Sequence, residues 1–165
     1  MQISELVKAQ GGLVLSRKET KASGNGGCPY KRLTLRALTE DGEIDSSALE
    51  DFCASETLSH AWFASPGDVV IRLFSPLCPV VIEKGQEKLL VPSQLAILKV
   101  KDCTILLPEF LKISLSQKEI QEKIRRIESG TTQRVVKLGT IMELQIEVPD
   151  LSLIHISEPT RLRCI

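Results

Sequence analysis

A change of hydrophobic period after residue 102 is the feature that most constrains how this chain can fold. In residues 69–74 (Val-Val-Ile-Arg-Leu-Phe) the odd positions are apolar and Arg72 projects from the other face, which is typical of a β-strand. From Pro108 onward, apolar residues instead recur at helical spacing. Because the strands come in a run before the helices, we predict an α+β fold, with a mixed and mainly antiparallel sheet and a few packed helices.

Further strand signals precede that change of period. Residues 30–38 alternate apolar side chains with basic or hydroxyl ones, which favours a strand. Residues 80–82 and 89–91 flank a Lys84-Gly85-Gln86 turn, and we predict that they pair as a hairpin. Residues 95–100 supply another strand.

The helical region divides into two helices and a closing segment. Pro108 and Glu109 suit a first helical turn. Ser116-Gln117-Lys118-Glu119 has the pattern of a capping box and predicts the start of a second helix, which Gly130 can end. Residues 135–148 predict a short helical turn followed by a closing strand from Leu144.

Composition is that of an ordinary globular domain and does not indicate a partner. Apolar residues make up 42% of the 165 residues, and 21 basic side chains balance 21 acidic ones. Since the net charge is zero, a role in binding nucleic acid would need a local basic face. The longest apolar runs are far too short to cross a bilayer, so we expect no membrane partner.

Motifs for nucleotide, metal or nucleophilic chemistry are not supported. The Gly-rich residues 22–29 are not followed by Gly-Lys-Ser/Thr, which a phosphate-binding loop would need. No pair of the five cysteines has the spacing of a zinc site, and we expect free thiols in a reducing cytosol. Cys53 and His60 match no nucleophilic motif. We therefore expect no metal, no cofactor and no catalytic residue.

Five segments occur in an order that resembles one family of DNA-recognition domains. They are Gly67-Asp68-Val69-Val70-Ile71, Leu90-Val91-Pro92-Ser93, Leu107-Pro108-Glu109-Phe110-Leu111, Ser129-Gly130-Thr131-Thr132-Gln133 and Leu144-Gln145-Ile146-Glu147-Val148-Pro149. The ordered set resembles the target recognition domain of the specificity (S) subunit of type I restriction-modification systems. It covers most of residues 60–150, and the N-terminal third matches more loosely.

This resemblance implies a non-catalytic, cytoplasmic reader of double-stranded DNA. The S subunit of such a system directs a methyltransferase (modification) subunit, and with it a restriction subunit, to a short target sequence. The chain itself is then expected to lack catalytic groups and cofactors of its own.

A DNA reader needs basic and hydroxyl groups for phosphates, and amide or guanidinium forks for base edges. Three segments could supply them: the polar loop after the second helix, the strand around residue 32, and the end of the central strand. In that order, the candidate DNA-binding residues are Ser129, Gly130, Thr131, Thr132, Gln133, Arg134 and Lys137; Lys31, Arg32 and Arg36; and Arg72 with Ser75.

The last fifteen residues are interpreted as foreign to the domain. Leu151 to Arg161 resembles the translation of a transposon-end adapter used in sequencing libraries. We therefore assign residues 1–150 to a single target recognition domain and residues 151–165 to a non-native tail. Members of the family continue into a long spacer helix. We thus expect a domain truncated at Asp150, which assembles poorly with its partner subunits and contacts half of a bipartite target.

Other functions remain open at the level of sequence. Within the same fold, the chain could belong to a fused restriction-methylation enzyme or an orphan specificity protein. From another class, it could be a non-enzymatic protein- or small-ligand-binding module unrelated to DNA, with the Gly-rich loop and the predicted hairpin as its binding edge. A cysteine-dependent enzyme would require Cys53. A steep loss of binding as salt rises separates the DNA reader from these alternatives.

Overall fold

The computed structural model describes residues 2–14, 28–54, 57–74, 77–86, 88–129 and 135–148. Within these ranges the chain forms two four-stranded sheets and four α-helices, which confirms the predicted α+β fold. The strands are β1 (Val7–Gly11), β2 (Cys28–Arg32), β3 (Glu50–Ala54), β4 (Phe63–Ala64), β5 (Val69–Arg72), β6 (Val80–Val81), β7 (Leu89–Leu90) and β8 (Leu95–Val100). The helices are α1 (Ile3–Leu6), α2 (Pro108–Ser116), α3 (Lys118–Ser129) and α4 (Leu138–Met142).

The first sheet has the order β1-β8-β5-β6 and is antiparallel throughout. Val7 lies opposite Val100 across β1 and β8, and Val69 lies opposite Leu98 across β5 and β8. The strands predicted at residues 69–74 and 95–100 are confirmed, although β5 ends at Arg72. Two apolar layers cover this sheet, which explains why β5 and β8 are almost continuously apolar.

Each face of the first sheet has its own apolar core. On one side Val69, Ile71 and Leu98 pack with Leu111 and Ile124 of the helices; we call this layer the helix-covered core. The opposite face packs against the second sheet, and the side chains of that layer include Val70, Ile97, Leu89 and Val91. Alternate residues of β5 therefore serve different cores, as the period of two requires.

The second sheet has the order β3-β2-β7-β4, with β2 and β7 parallel. The predicted hairpin is therefore wrong, since β6 lies in the first sheet and β7 in the second. Its turn does form, and the Gln86 amide donates to the Glu83 carbonyl at 3.1 Å. Upstream segments occupy both flanks of the turn: the Ile82 amide donates to the Asp68 carbonyl at 2.8 Å, and the Val91 amide donates to the Trp62 carbonyl at 3.0 Å.

The strand predicted at residues 30–38 is shorter than expected. It ends at Arg32, and Leu35–Ala37 forms a single 3-10 turn. The Thr34 hydroxyl caps this turn by accepting from the Ala37 amide at 3.2 Å, and it donates to the Ala48 carbonyl at 2.8 Å. A side chain that can bond to the backbone on both sides thus overrides the alternating pattern.

Helices α2, α3 and α4 form where helices were predicted, but their junctions differ, and α1 was not predicted. Pro108 begins α2 as expected. The capping box is wrong, because Ser116 is the last residue of α2 and its hydroxyl donates to the Lys112 carbonyl at 2.8 Å. The closing strand is also wrong: within residues 144–148, the part of this segment that the structure describes, the chain makes a single bridge, between Gln145 and Gln2.

Some sequence predictions fall outside the described residues, namely those for Gly130, for residues 22–27 and for the tail at 151–165. Cys53 and Cys78 are free thiols as expected, whereas Cys103 is disulfide-bonded. No helix in the described ranges is long and apolar enough to cross a membrane.

Candidate nucleic-acid interface

The end of β5 is bonded to the segment that follows residue 32. The side chain of Arg72, the last residue of this strand, reaches the segment that follows β2. Its Nη2 atom donates to the Leu35 carbonyl at 2.7 Å and to the Leu38 carbonyl at 3.1 Å. The backbone carbonyls of residues 35–38 are thereby tied to β5, although more than thirty residues separate them in sequence.

The neighbouring residue, Leu73, connects the end of β5 to the segment that lies between α3 and α4. Its amide donates to the Gln94 carbonyl at 3.2 Å, and its carbonyl accepts from the Val136 amide at 2.6 Å. Lys137 directly follows Val136 and is exposed at the N-terminus of α4. The backbone of residues 35–38 and of Val136 therefore converges on the carboxyl end of β5.

A groove of about 320 Å³ opens beside this convergence. Its walls come from the end of β2, the 3-10 turn and the approach to β8. Guanidinium, hydroxyl and amide groups line it, which are the side-chain types that bind phosphates and base edges. The polar lining residues are Arg32, Thr34, Arg36, Glu50 and Gln94.

Two of the basic candidates are already paired. Arg32 contacts Glu50 through Nε at 2.9 Å and also through Nη2, and Lys31 Nζ lies 2.6 Å from Asp51. Exposed pairs of this kind contribute about 0–1 kcal/mol each, so an arriving phosphate can compete for them at little cost. These two ion pairs keep Lys31 and Arg32 at the surface while the carboxylates of Asp51 and Glu50 neutralise their positive charges.

Arg36 differs from these two residues. Its side chain is exposed, it lines the groove, and it makes no ion pair with the residues that the structure describes. A guanidinium in this state can bind a phosphate or a guanine edge without first breaking a protein contact. Of the two basic residues that line the groove, Arg36 is therefore the more available.

Arg72 has the opposite environment. Besides its two bonds to carbonyls, its guanidinium lies 5.5 Å from the centre of the Phe74 ring. Its Nε atom is buried and has no hydrogen-bond partner among the described residues. The prediction that Arg72 lies near the end of the central strand is confirmed, but its side chain points into the protein and not towards solvent.

The remaining candidates are only partly described. Ser129 ends α3, and its hydroxyl donates to the Arg126 carbonyl at 2.8 Å. Ser75 and the loop Gly130–Arg134 lie outside the described residues. Their assignment to DNA binding stays a prediction.

Sequence reasoning missed two lining residues, Thr34 and Gln94. Thr34 was assigned to a strand as one of its polar positions, which hid its role as the cap of a turn. Gln94 sits in the short turn Ser93-Gln94 that leads into β8. A polar pair between Pro92 and a buried strand is a signal for an exposed turn, and this signal could have identified it.

No family model and no curated protein matches this chain. Several solved structures do. A chain from a type I R-M system, solved to explain complex assembly and conformational transition, has a TM-score of 0.70 and 14% identity, over 96% of this chain and 40% of that one.

The HsdS subunit from Thermoanaerobacter tengcongensis has a TM-score of 0.59 and 16% identity, over 93% of this chain and 33% of its own. The type I restriction-modification S subunit from M. genitalium has a TM-score of 0.56 and 16% identity, over 94% and 36%. The chain has the fold of a type I S subunit. It spans between a third and two fifths of the length of the chains it matches.

Proposed function

We propose that this chain is a DNA-reading domain of a type I restriction-modification specificity subunit and that the groove beside β5 faces double-stranded DNA. The observation that carries the proposal is the polar groove beside the end of one buried strand, lined by Arg32, Arg36 and Gln94, on a fold shared with S subunits. Rigid strands supply the platform, and short turns present the polar groups.

The exposed groups of the groove suit different parts of the duplex. Arg36 offers a planar guanidinium that can bind a phosphate or guanine O6 and N7, and Gln94 offers an amide suited to adenine N6 and N7. Lys31 and Arg32 flank them and can strengthen contact with the backbone by exchanging their carboxylate partners for phosphates. Net charge plays little part, since local groups suffice.

Assembly belongs to the same proposal. The DNA reader acts in the cytoplasm beside a methyltransferase subunit and a restriction subunit, which supply the chemistry, while this chain is non-catalytic. A pull-down with purified methyltransferase and restriction subunits tests this part separately. Failure of a longer S chain carrying this domain to bind either subunit would contradict it.

The test of DNA reading begins with selection from a pool of random 30-base-pair duplexes, because the target is unknown. Fluorescence anisotropy then measures affinity for the selected duplex between 50 and 300 mM salt. We expect log K to fall linearly with log salt, with a slope of about −0.9 for each phosphate contacted. Affinity independent of salt, or no enrichment of any sequence, would contradict the proposal.

Arg36→Ala is the decisive variant, with Arg125→Ala as its matched control because Arg125 is exposed on α3. Removing Arg36 should weaken binding by about 1–3 kcal/mol if it reads a base, or reduce the salt slope by about one if it binds a phosphate. Arg125→Ala should leave both quantities unchanged. Equal effects from the two variants would mean that the groove is not the interface.

The alternative interaction module loses part of its support. That interpretation assigned the binding edge in part to the hairpin predicted at residues 80–91. In the structure, the two strands of that hairpin lie in different sheets. The other half of the edge, the Gly-rich loop, lies outside the described residues.

A further inference from the structure

Arg72 was predicted to contact DNA, yet its surroundings suit another task. We propose that Arg72 is a positioning residue: its guanidinium clamps the segment 35–38 to β5 and so holds Arg36 in place for DNA. This inference rests on the proposed function for its purpose, but the clamp itself can be tested without DNA.

The base of the clamp is rigid. Arg72 pairs with Leu95 in the first sheet, and its amide donates to the Leu77 carbonyl at 2.8 Å. Backbone contacts on two sides therefore fix the start of the side chain, and the Phe74 ring lies against its guanidinium. The clamp therefore starts from a residue whose backbone is held within the sheet.

The two hydrogen bonds made by Arg72 lie on either side of Arg36 in the sequence. One Nη2 atom bridges two carbonyls that are three residues apart, and Arg36 lies between them in sequence. The two bonds fix the backbone there while leaving the Arg36 side chain exposed. Hydrogen bonds to a charged donor are stronger than neutral ones, so Arg72 adds to the bond between the Asp45 amide and the Ala37 carbonyl in holding this segment.

A direct role in DNA binding would require this arrangement to break. To reach a phosphate, the Arg72 guanidinium would leave two backbone carbonyls without their donor, in a region that is half-buried. Leaving such carbonyls unpaired costs more than a single hydrogen bond gains. Arg36 can supply the same charge from the surface with no such cost.

Amide hydrogen exchange on the whole chain, without DNA, is the first test. Arg72→Met keeps the bulk of the side chain and removes its donors. We expect exchange at Ala37 and Thr39 to accelerate about tenfold or more, with Ile97 and Leu98 of β8 unchanged as an internal reference. Arg36→Met, on the same segment, should leave all four amides at their wild-type rates.

Arg72→Lys guards against a simple failure to fold. Lysine keeps the charge and three donors, so partial rescue of protection at Ala37 and Thr39 is expected. Wild-type protection in Arg72→Met, or acceleration that extends equally to β8 in both Arg72 variants, would overturn the clamp.

A double-mutant cycle on DNA affinity then separates positioning from direct contact. If Arg72 acts through Arg36, the double variant Arg36→Met/Arg72→Met binds about as weakly as the weaker single variant. Additive losses, with the salt slope falling by about one further unit for Arg72→Met, would overturn the inference and make Arg72 a phosphate contact. Absence of DNA binding by the wild-type chain would overturn the proposed function while leaving the exchange result to decide on the clamp.

Discussion

The helix-covered core and the groove are held together by different forces. In the helix-covered core, long elements bury aliphatic side chains such as Leu111 and Ile124 completely. Around the groove, short elements depend on polar side chains bonded to backbone, with Thr34 and Arg72 as the principal examples. Both faces of the first sheet bury an apolar core, but the geometry needed for recognition depends in addition on these polar bonds.

The largest effect is expected on the helical side. Leu111→Ala removes a fully buried side chain between α2 and the first sheet, and we expect unfolding to become easier by about 2–5 kcal/mol. Chemical denaturation measures the loss. Ile113→Ala on the same helix, where the side chain is 57% exposed, should change stability by less than about 0.5 kcal/mol. Similar losses in both variants would contradict the division between core and surface.

How much the sequence could predict follows the same division. The strands at 69–72 and 95–100 and both long helices follow from apolar periodicity, because burial against a large core enforces that period. Hairpin pairing at 80–91 could not be predicted in the same way, since each two-residue strand finds its partner through distant backbone contacts. The inward turn of Arg72 depends likewise on carbonyls more than thirty residues away.

A smaller effect is expected at the groove. Thr34→Val removes the cap of the 3-10 turn and the bond to the Ala48 carbonyl, at a cost of about 1 kcal/mol. Exchange at the Ala37 amide should accelerate more than exchange in β8. Thr34→Ser keeps the hydroxyl and should behave like the wild type. If Thr34→Val and Thr34→Ser have the same stability and the same exchange rate at the Ala37 amide, apolar packing and not hydrogen bonding stabilises this turn.

The smallest effect concerns Asp68, a buried carboxylate at the start of β5. Burial raises its pKa above the usual 3.8, while the Ser65 amide and Lys99, whose Nζ lies 3.4 Å away, act in the lowering direction. A raised pKa in the folded state means that the proton binds the folded chain more tightly. Stability from this group is therefore complete below pH 3.8 and is lost as pH rises through the higher folded pKa.

Asp68→Asn tests that sign. We expect the wild type to gain stability relative to the variant as pH falls from neutral towards 3.8, measured by urea midpoints at each pH. Lys84→Gln, at an exposed turn, serves as the control for a general change in charge. If the wild type instead loses stability relative to the variant as pH falls, the interaction with Lys99 has a larger effect on the Asp68 pKa than burial has.

The pairing of Val7 with Val100 has a consequence for synthesis on the ribosome. Strand β1 leaves the ribosome before its partner β8, which follows about ninety residues later, and the Ile3 amide bonds to the Leu144 carbonyl. At about 5–20 residues per second, the first strand must wait several seconds for its neighbour. During that interval its apolar face has no cover, and a slowly translated message would lengthen its exposure to chaperones and proteases.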